Sequence, residues 1–283
     1  MRFVKMHGAG NDFIILDNRK QLLDRDALSA LAVRVCARHT GVGADGLMAV
    51  MPPAAGGDYA MLFFNADGSL GEMCGNGARC ICRYGHDRGL AGDRQRVETT
   101  AGLVIGERID ATRYRVRLND PTVLEARTAR IGETDWLCRY VELGDPGLPH
   151  ALVELPDWET WDREALRALG RALRSHPVFP KGANVSFFRL LGENRIRAVT
   201  FERGVEDFTL ACGTASGSLT AALTKEGRVS GREVMIEMPG GVLSVSAAKV
   251  GDRVCDLFLT GPTCLVCEGE LGEITQEQGR KET

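Results

Sequence analysis

Two stretches of this chain carry apolar residues at helical spacing after a polar start, Ala27 to Arg38 and Trp161 to Ser175. Two more helix-compatible runs open at Cys74 and Cys212 and extend to Gly89 and Gly227. Most of the remainder reads as short strands bounded by Gly, Asn, Asp and Pro. In the first half these are Asp12–Leu16, Tyr59–Asn65, Arg96–Thr100 and Tyr114–Leu118. In the second they are Ala151–Leu155, Val185–Leu190, Arg197–Glu202, Glu233–Glu237 and Arg253–Leu259. Each half is therefore expected to be β-rich with two helices, the second opening just after a cysteine. The tail from Glu268 to Thr283 is polar and is expected to end in solvent.

The pattern occurs twice. Gly10-Asn11-Asp12-Phe13 is echoed by Gly147-Leu148-Pro149-His150, and Gly43-Ala44-Asp45-Gly46 by Gly182-Ala183-Asn184-Val185. Phe64-Asn65, leading to Cys74-Gly75-Asn76, is echoed by Phe201-Glu202, leading to Cys212-Gly213-Thr214. Glu98-Thr99-Thr100-Ala101-Gly102 is echoed by Glu237-Met238-Pro239-Gly240-Gly241. Four matches in one order at one offset indicate an internal repeat, hence two similar domains in the 283 residues.

Composition narrows the class without naming a function. A net charge of −3 gives no electrostatic footprint for nucleic acid, and no apolar run is long enough to span a bilayer. The N-terminus lacks a signal-peptide core, so a cytoplasmic location is expected. Nine cysteines, an odd number without a secretory signal, do not read as a disulfide framework. Cys264 and Cys267 form a C-x-x-C with apolar flanks, which suits a strand better than a redox turn. Most of the cysteines read as small buried hydrophobes.

Cys74 and Cys212 stand apart because each is followed by glycine at the start of a helical run and each occupies the same place in the repeat. A helix start offers unpaired N–H groups and partial positive charge, which favour a thiolate and can hold a carboxylate. Glycine lets a ligand approach the backbone. Inverting an amino-acid α-carbon needs a base on one face and an acid on the other, with fixed dipoles for the developing negative charge. Two such helix starts match that requirement.

These motifs resemble the diaminopimelate epimerase family. The resemblance rests on Lys5-Met6-His7-Gly8-Ala9-Gly10-Asn11-Asp12-Phe13, on Phe64-Asn65-Ala66-Asp67-Gly68-Ser69 with Met73-Cys74-Gly75-Asn76-Gly77-Ala78-Arg79, and on Glu202-Arg203-Gly204 with Thr209-Leu210-Ala211-Cys212-Gly213-Thr214. It spans essentially the whole chain. It implies an α/β (α+β) fold of two similar β-rich domains related by a pseudo-two-fold axis. Each has a central helix wrapped by strands, and the active site lies in the inter-domain cleft. The implied domains are 1–118 plus 264–283, carrying Cys74, and 119–263, carrying Cys212. The implied reaction is epimerisation of LL-2,6-diaminopimelate to the meso form, with Cys74 and Cys212 alternating as base and acid. No cofactor and no metal are expected. Gly75, Asn76, Gly213 and Thr214 would hold the α-carboxylate. Asn11, Asn65, Asn184, Glu202 and Arg203 would line the substrate site, and His150 and Glu202 would tune the cysteines. The expected partner is a small diamino dicarboxylic acid, with no nucleic acid or membrane and with a homodimer left open.

Departures from the family pattern bear on the substrate. Leu148 stands where a polar residue is common, Gly46 where some members have glutamine, Phe208 where glutamate is usual, and Ala215 where glycine is usual. Leu148 and Phe208 together are expected to make the pocket more apolar. The alternatives are a racemase of another amino acid on the same scaffold, a non-catalytic binding protein of this fold, and a thiol redox protein.

Overall fold

The computed structural model describes residues 1–71 and 74–272. The expected features at Met73 and in 273–283 lie outside the described residues. The chain divides into two compact units. One holds Met1–Tyr114 together with the last segment from Thr263; the other is Arg115–Pro262.

The first unit contains strands β1 (Arg2–Gly8) and β2 (Asn11–Asp17), helix α1 (Arg25–Cys36), strands β3 (Gly46–Met51) and β4 (Tyr59–Asn65), helix α2 (Gly75–Asp87), and strands β5 (Arg94–Thr99) and β6 (Gly102–Arg108). Strand β7 (Arg113–Arg117) runs across the unit boundary. The second unit holds β8 (Pro121–Ile131), β9 (Thr134–Leu143), β10 (Leu148–Glu154), α3 (Arg163–Arg174), β11 (Asn184–Gly192), β12 (Arg195–Glu202), β13 (Asp207–Thr209), α4 (Gly213–Lys225), β14 (Val234–Met238), β15 (Gly241–Val250) and β16 (Arg253–Pro262). The final strand, β17 (Cys264–Glu270), pairs with β1 in the first unit. Glu268 to Glu270, at the start of the polar tail, are thus sheet residues, and the expected end of that tail in solvent lies outside the described residues. The alternating polarity of this short stretch is too weak to mark a strand without its partner.

The repeat is one of topology. β2 and β3 run parallel, as do β10 and β11. β3–β4 and β11–β12 are antiparallel. β4–β5 and β12–β14 are parallel, and β5–β6 and β14–β15 antiparallel. The registers differ by one residue: Phe13 lies opposite Gly46, whereas His150 lies opposite Asn184, the repeat partner of Asp45. The mixed sheets and buried helices make this an α+β fold.

Within each unit the two helices have different burial. α1 covers the sheet through Leu28, Leu31, Ala32 and Val35, which pack with Ile14, Leu16, Leu47 and Phe64. α3 does the same with Leu166, Leu169 and Leu173 against Tyr140, Val153, Phe187 and Phe201. α2 and α4 are buried along nearly their whole length, in contact with β1, β2 and β6, and with β9, β10, β15 and β16, respectively. Small residues permit this: a Cβ on Gly77 would fall 2.3 Å from Met48, and one on Gly217 2.6 Å from Leu118. Among the described residues no helix is long and apolar enough to cross a membrane.

Candidate active site

The helices differ most at their first turns. Asp24 caps α1 by accepting from Ala27 N at 2.8 Å. Asp162 caps α3 by accepting from Glu164 N and Ala165 N, each at 3.0 Å. The N-cap residues of α2 and α4 are Cys74 and Cys212, both with extended backbone (φ −109° and −122°). No acidic residue lies in either first turn, so the N–H groups of Gly75–Asn76 and Gly213–Thr214 face no carboxylate from their own helix. Such a turn is a site for an anion.

In the second unit, Cys212 is buried and its Sγ lies 3.5 Å from Thr214 Oγ1. Its N–H donates to Met238 Sδ at 3.3 Å, and its carbonyl accepts from Ser216 Oγ at 3.0 Å. Burial pushes the thiol well above the ordinary cysteine range, and the Glu202 carboxylate beside it adds to that. The Thr214 hydroxyl and the Ala215 N–H oppose the rise without reversing it. A helix start was expected to lower this pKa; here desolvation is the larger effect. Glu202, at the end of β12, accepts from Thr209 Oγ1 at 2.5 Å. Burial raises its carboxyl, against hydrogen bonds from Thr209 and the Cys212 thiol.

Asn184 sits at the start of β11 beside His150, and its Oδ1 accepts from Arg203 N at 2.8 Å, fixing the turn that follows Glu202. Arg203 Nη1 donates to Lys181 O at 2.9 Å. His150 is fully buried, and neither ring nitrogen has a hydrogen-bond partner. Burial, with a smaller effect from the Arg203 charge, brings its pKa down to about 3. It is a neutral ring throughout the physiological range.

In the first unit, Cys74 is half-buried. Asn76 Nδ2 donates to Asn11 Oδ1 at 2.6 Å, and Asn11 Nδ2 to Asp45 Oδ2 at 3.3 Å. Asn65, at the end of β4, donates to Ser69 Oγ at 2.9 Å. The Asp45 carbonyl accepts from Ala66 N, tying this turn to the same network. Asn11, Asn76 and Asp45 therefore form one polar array beside α2, with Asn65 at its edge. Cys212, Thr214 and Glu202 form another at α4, adjoined by Asn184, Arg203 and His150.

Several contributors were not singled out in the sequence. Asp45 is the repeat partner of Asn184 and could have been found from that alone. Thr209, Ser216 and Met238 act through contacts with no sequence signature. Arg79 was visible only as part of a motif. It is completely buried on α2, donating to Gly75 O at 3.1 Å and Asn76 Oδ1 at 2.7 Å.

Two departures gain a physical account. Phe208 does not face Glu202 and Cys212. It alternates with Thr209 on β13 and packs against Phe187 and Phe201, with ring centroids 6.3 and 5.7 Å away. Its expected effect on the pocket is therefore corrected: it extends the aromatic core under α3. At Gly46 a Cβ would lie 2.4 Å from the Phe63 ring and 2.6 Å from Phe64 O, so Phe63 fills the space a side chain would take. Cys264 and Cys267 lie in β17, as the flanks predict. Cys36, Cys80, Cys82 and Cys138 are buried, but Cys264 and Cys267 are exposed and Cys255 half-exposed. Among the described residues no cluster of His, Cys, Asp and Glu could hold a metal ion.

Comparison with known proteins gives one family. The sequence model described as diaminopimelate epimerase matches residues 3–123 and 144–266. A diaminopimelate epimerase of Aquifex aeolicus is 38% identical, with 96% of this chain and 98% of the relative covered. One of Desulforudis audaxviator is also 38% identical, with coverage of 95% and 99%. The fold is similar to that of a Bacillus anthracis phenazine biosynthesis protein of the PhzF family (TM-score 0.73, 16% identity, 96% of this chain and 99% of that one). It is similar too to a hydroxyproline epimerase from Agrobacterium vitis (TM-score 0.67, 18% identity, 95% and 91%).

Proposed function

Because the chain belongs to the diaminopimelate epimerase family, we propose that it is an isomerase that converts LL-2,6-diaminopimelate to the meso form in the cytoplasm. This reaction belongs to lysine and peptidoglycan-precursor biosynthesis. The observation that carries the chemistry is that Cys74 and Cys212 are N-cap residues of equivalent helices in a repeated fold.

One cysteine, as thiolate, takes the α-proton; the other, as thiol, gives a proton to the opposite face of the carbon. The C–H bond on one side breaks, a C–H bond on the other forms, and the two sulfurs exchange protonation states. The N–H groups at Gly75–Asn76 and Gly213–Thr214 hold the α-carboxylate, whose charge grows as the proton leaves. In this scheme Cys212 enters one direction of the reaction as the acid, consistent with burial and Glu202 opposing its ionisation. Arg203 offers a planar fork for the distal carboxylate, with its backbone held by Asn184. Asn11, Asn65 and Glu202 serve the amino groups. His150, buried and neutral, does not act on a cysteine by charge.

The test is incubation with LL-diaminopimelate in deuterium oxide under reducing conditions. Deuterium should enter the α-carbon with conversion to the meso isomer, and Cys74→Ser or Cys212→Ser should abolish both. Exchange of another amino acid with none of diaminopimelate would transfer the activity to a different substrate. Undiminished exchange in both variants would remove the two-thiol chemistry.

A further inference from the structure

Arg79 is the one arginine among the described residues that is fully buried. Among the described residues its guanidinium meets only neutral acceptors, Gly75 O and Asn76 Oδ1, and its Nε is buried without a partner. A buried cation with no carboxylate is costly to keep and marks a place where an anion is provided for. Helical side chains lean toward the N-terminus, so Arg79 folds back onto the first turn of α2 and adds a full charge to the helix's own positive end. Gly8 of β1 closes over it: a Cβ there would lie 2.9 Å from Asn76 O and 3.4 Å from Arg79 Nη2.

We propose that Arg79 is a positioning residue that holds Cys74 as the resting thiolate, so that the two halves of the repeat carry opposite charge beside their cysteines. The proposal rests on the reading of Cys74 as one of the two acid–base thiols. The repeat shows what differs. The counterpart of Arg79 on α4 is Gly217, where a side chain would collide with Leu118, and the counterpart of Glu202 is the neutral Asn65. The first half thus has a buried cation near the start of its cysteine helix and an amide at the position of Glu202; the second has a carboxylate beside its cysteine, and the cation of its helix, Lys225, stands at the far end.

Among the described residues, the groups around α2 leave this charge unspent. The titratable groups that bear on the guanidinium are Cys80 and Cys74, and burial pushes Cys80 up to about 12, so it remains a thiol. On β1, Lys5 pairs with Asp12 of β2, and Arg2 with Glu270. His7 alternates with Gly8 and so faces away from α2. Asp17 of β2 is held by Arg19. Arg108 of β6 is held by Asp93, and Glu107 lies 4.0 Å from Arg94. Arg83 on α2 itself is held by Asp87 and Thr263 O. Asp45 reaches Arg79 only through Asn11 and Asn76.

The experiment is alkylation of the full-length protein with iodoacetamide across pH, with peptide mapping to read Cys74 and Cys212 separately. In the native protein Cys74 should react with a midpoint below the ordinary thiol value of about 8.5, and Cys212 above it. Arg79→Met, of similar length and uncharged, should raise the Cys74 midpoint by about one to two pH units. Arg79→Lys, which keeps the charge, should restore most of that shift, a rescue that a purely structural role would not give. A native Cys74 midpoint at or above 8.5 overturns the proposal, as does a folded Arg79→Met variant with an unchanged midpoint. Arg79→Gln stands in if the methionine variant does not fold, and the native profile decides against the proposal whatever the variants do. The two readings fail separately. Exchange surviving in Cys74→Ser removes the acid–base role of Cys74, whereas an unshifted alkylation profile removes only that of Arg79.

Discussion

Cys212 is surrounded by groups that disfavour its thiolate, and the sizes of those effects can be separated. Burial is the largest and Glu202 comes next, while Thr214 and the Ala215 N–H pull the other way. Removing only the carboxylate should lower the thiol's pKa without bringing it to the ordinary value. Glu202→Gln should therefore raise the alkylation rate of Cys212 at pH 8 by roughly three- to tenfold, equivalent to about half to one pH unit. A rate unchanged or slowed in a folded variant would show that Glu202 does not act through charge. At this scale the sequence was informative about which residues matter and uninformative about how. Cys74 and Cys212 were legible because each repeats the other. The raised pKa of Cys212 was not, because desolvation depends on residues such as Met238, which arrives from β14 far along the chain.

Helix ends connect the local sequence to the chemistry. α1 and α3 begin with an aspartate cap and pack one stripe of apolar residues, the pattern that exposes a helix to detection by periodicity. α2 and α4 are buried on nearly all sides, so periodicity says little about them, and only the Cys-Gly repeat located their starts. The hairpin β8–β9 was missed for a related reason. Its outward positions in β8 carry charge at irregular spacing, and its register is set by pairing with β9 rather than by its own pattern. Caps also make a prediction that separates structure from function. Asp162→Ala removes an acceptor shared by two N–H groups and should cost about 1 kcal/mol. Cys74→Ser places a favoured capping residue at the start of α2 and should cost no stability while abolishing exchange. Urea denaturation of both variants checks this, and a Cys74→Ser protein destabilised as much as Asp162→Ala would contradict it.

For the molecule as a whole, the two units share a topology but differ at a position that makes one of them acid-sensitive. Phe13 and His150 are matched in the sequence repeat, and both are buried. The phenylalanine is indifferent to pH. The histidine has a folded pKa of about 3 against about 6.5 in an unfolded chain. Above pH 6.5 the ring is neutral in both states and its contribution is fully present. As pH falls below 6.5, the unfolded chain takes up a proton that the folded chain refuses, and stability falls by about 1.4 kcal/mol per pH unit until pH 3. The carboxylates act lower. Asp12, held by Lys5 and Arg38, and Glu154, held by Arg228 and Arg139, have depressed pKa values. Their stabilisation is present above the unfolded value near 4 and is lost as pH falls through the folded one. Acid loss of stability should thus begin near pH 6.5 and steepen below about 4.5. All three tryptophans, Trp136, Trp158 and Trp161, belong to the unit that contains His150, so fluorescence-detected urea unfolding reports on that unit. Between pH 7.5 and 4.5 the native protein should lose stability at the slope given above, and His150→Phe, which copies the other half of the repeat, should be nearly flat. A slope that survives the substitution would assign the acid sensitivity to groups other than this buried ring.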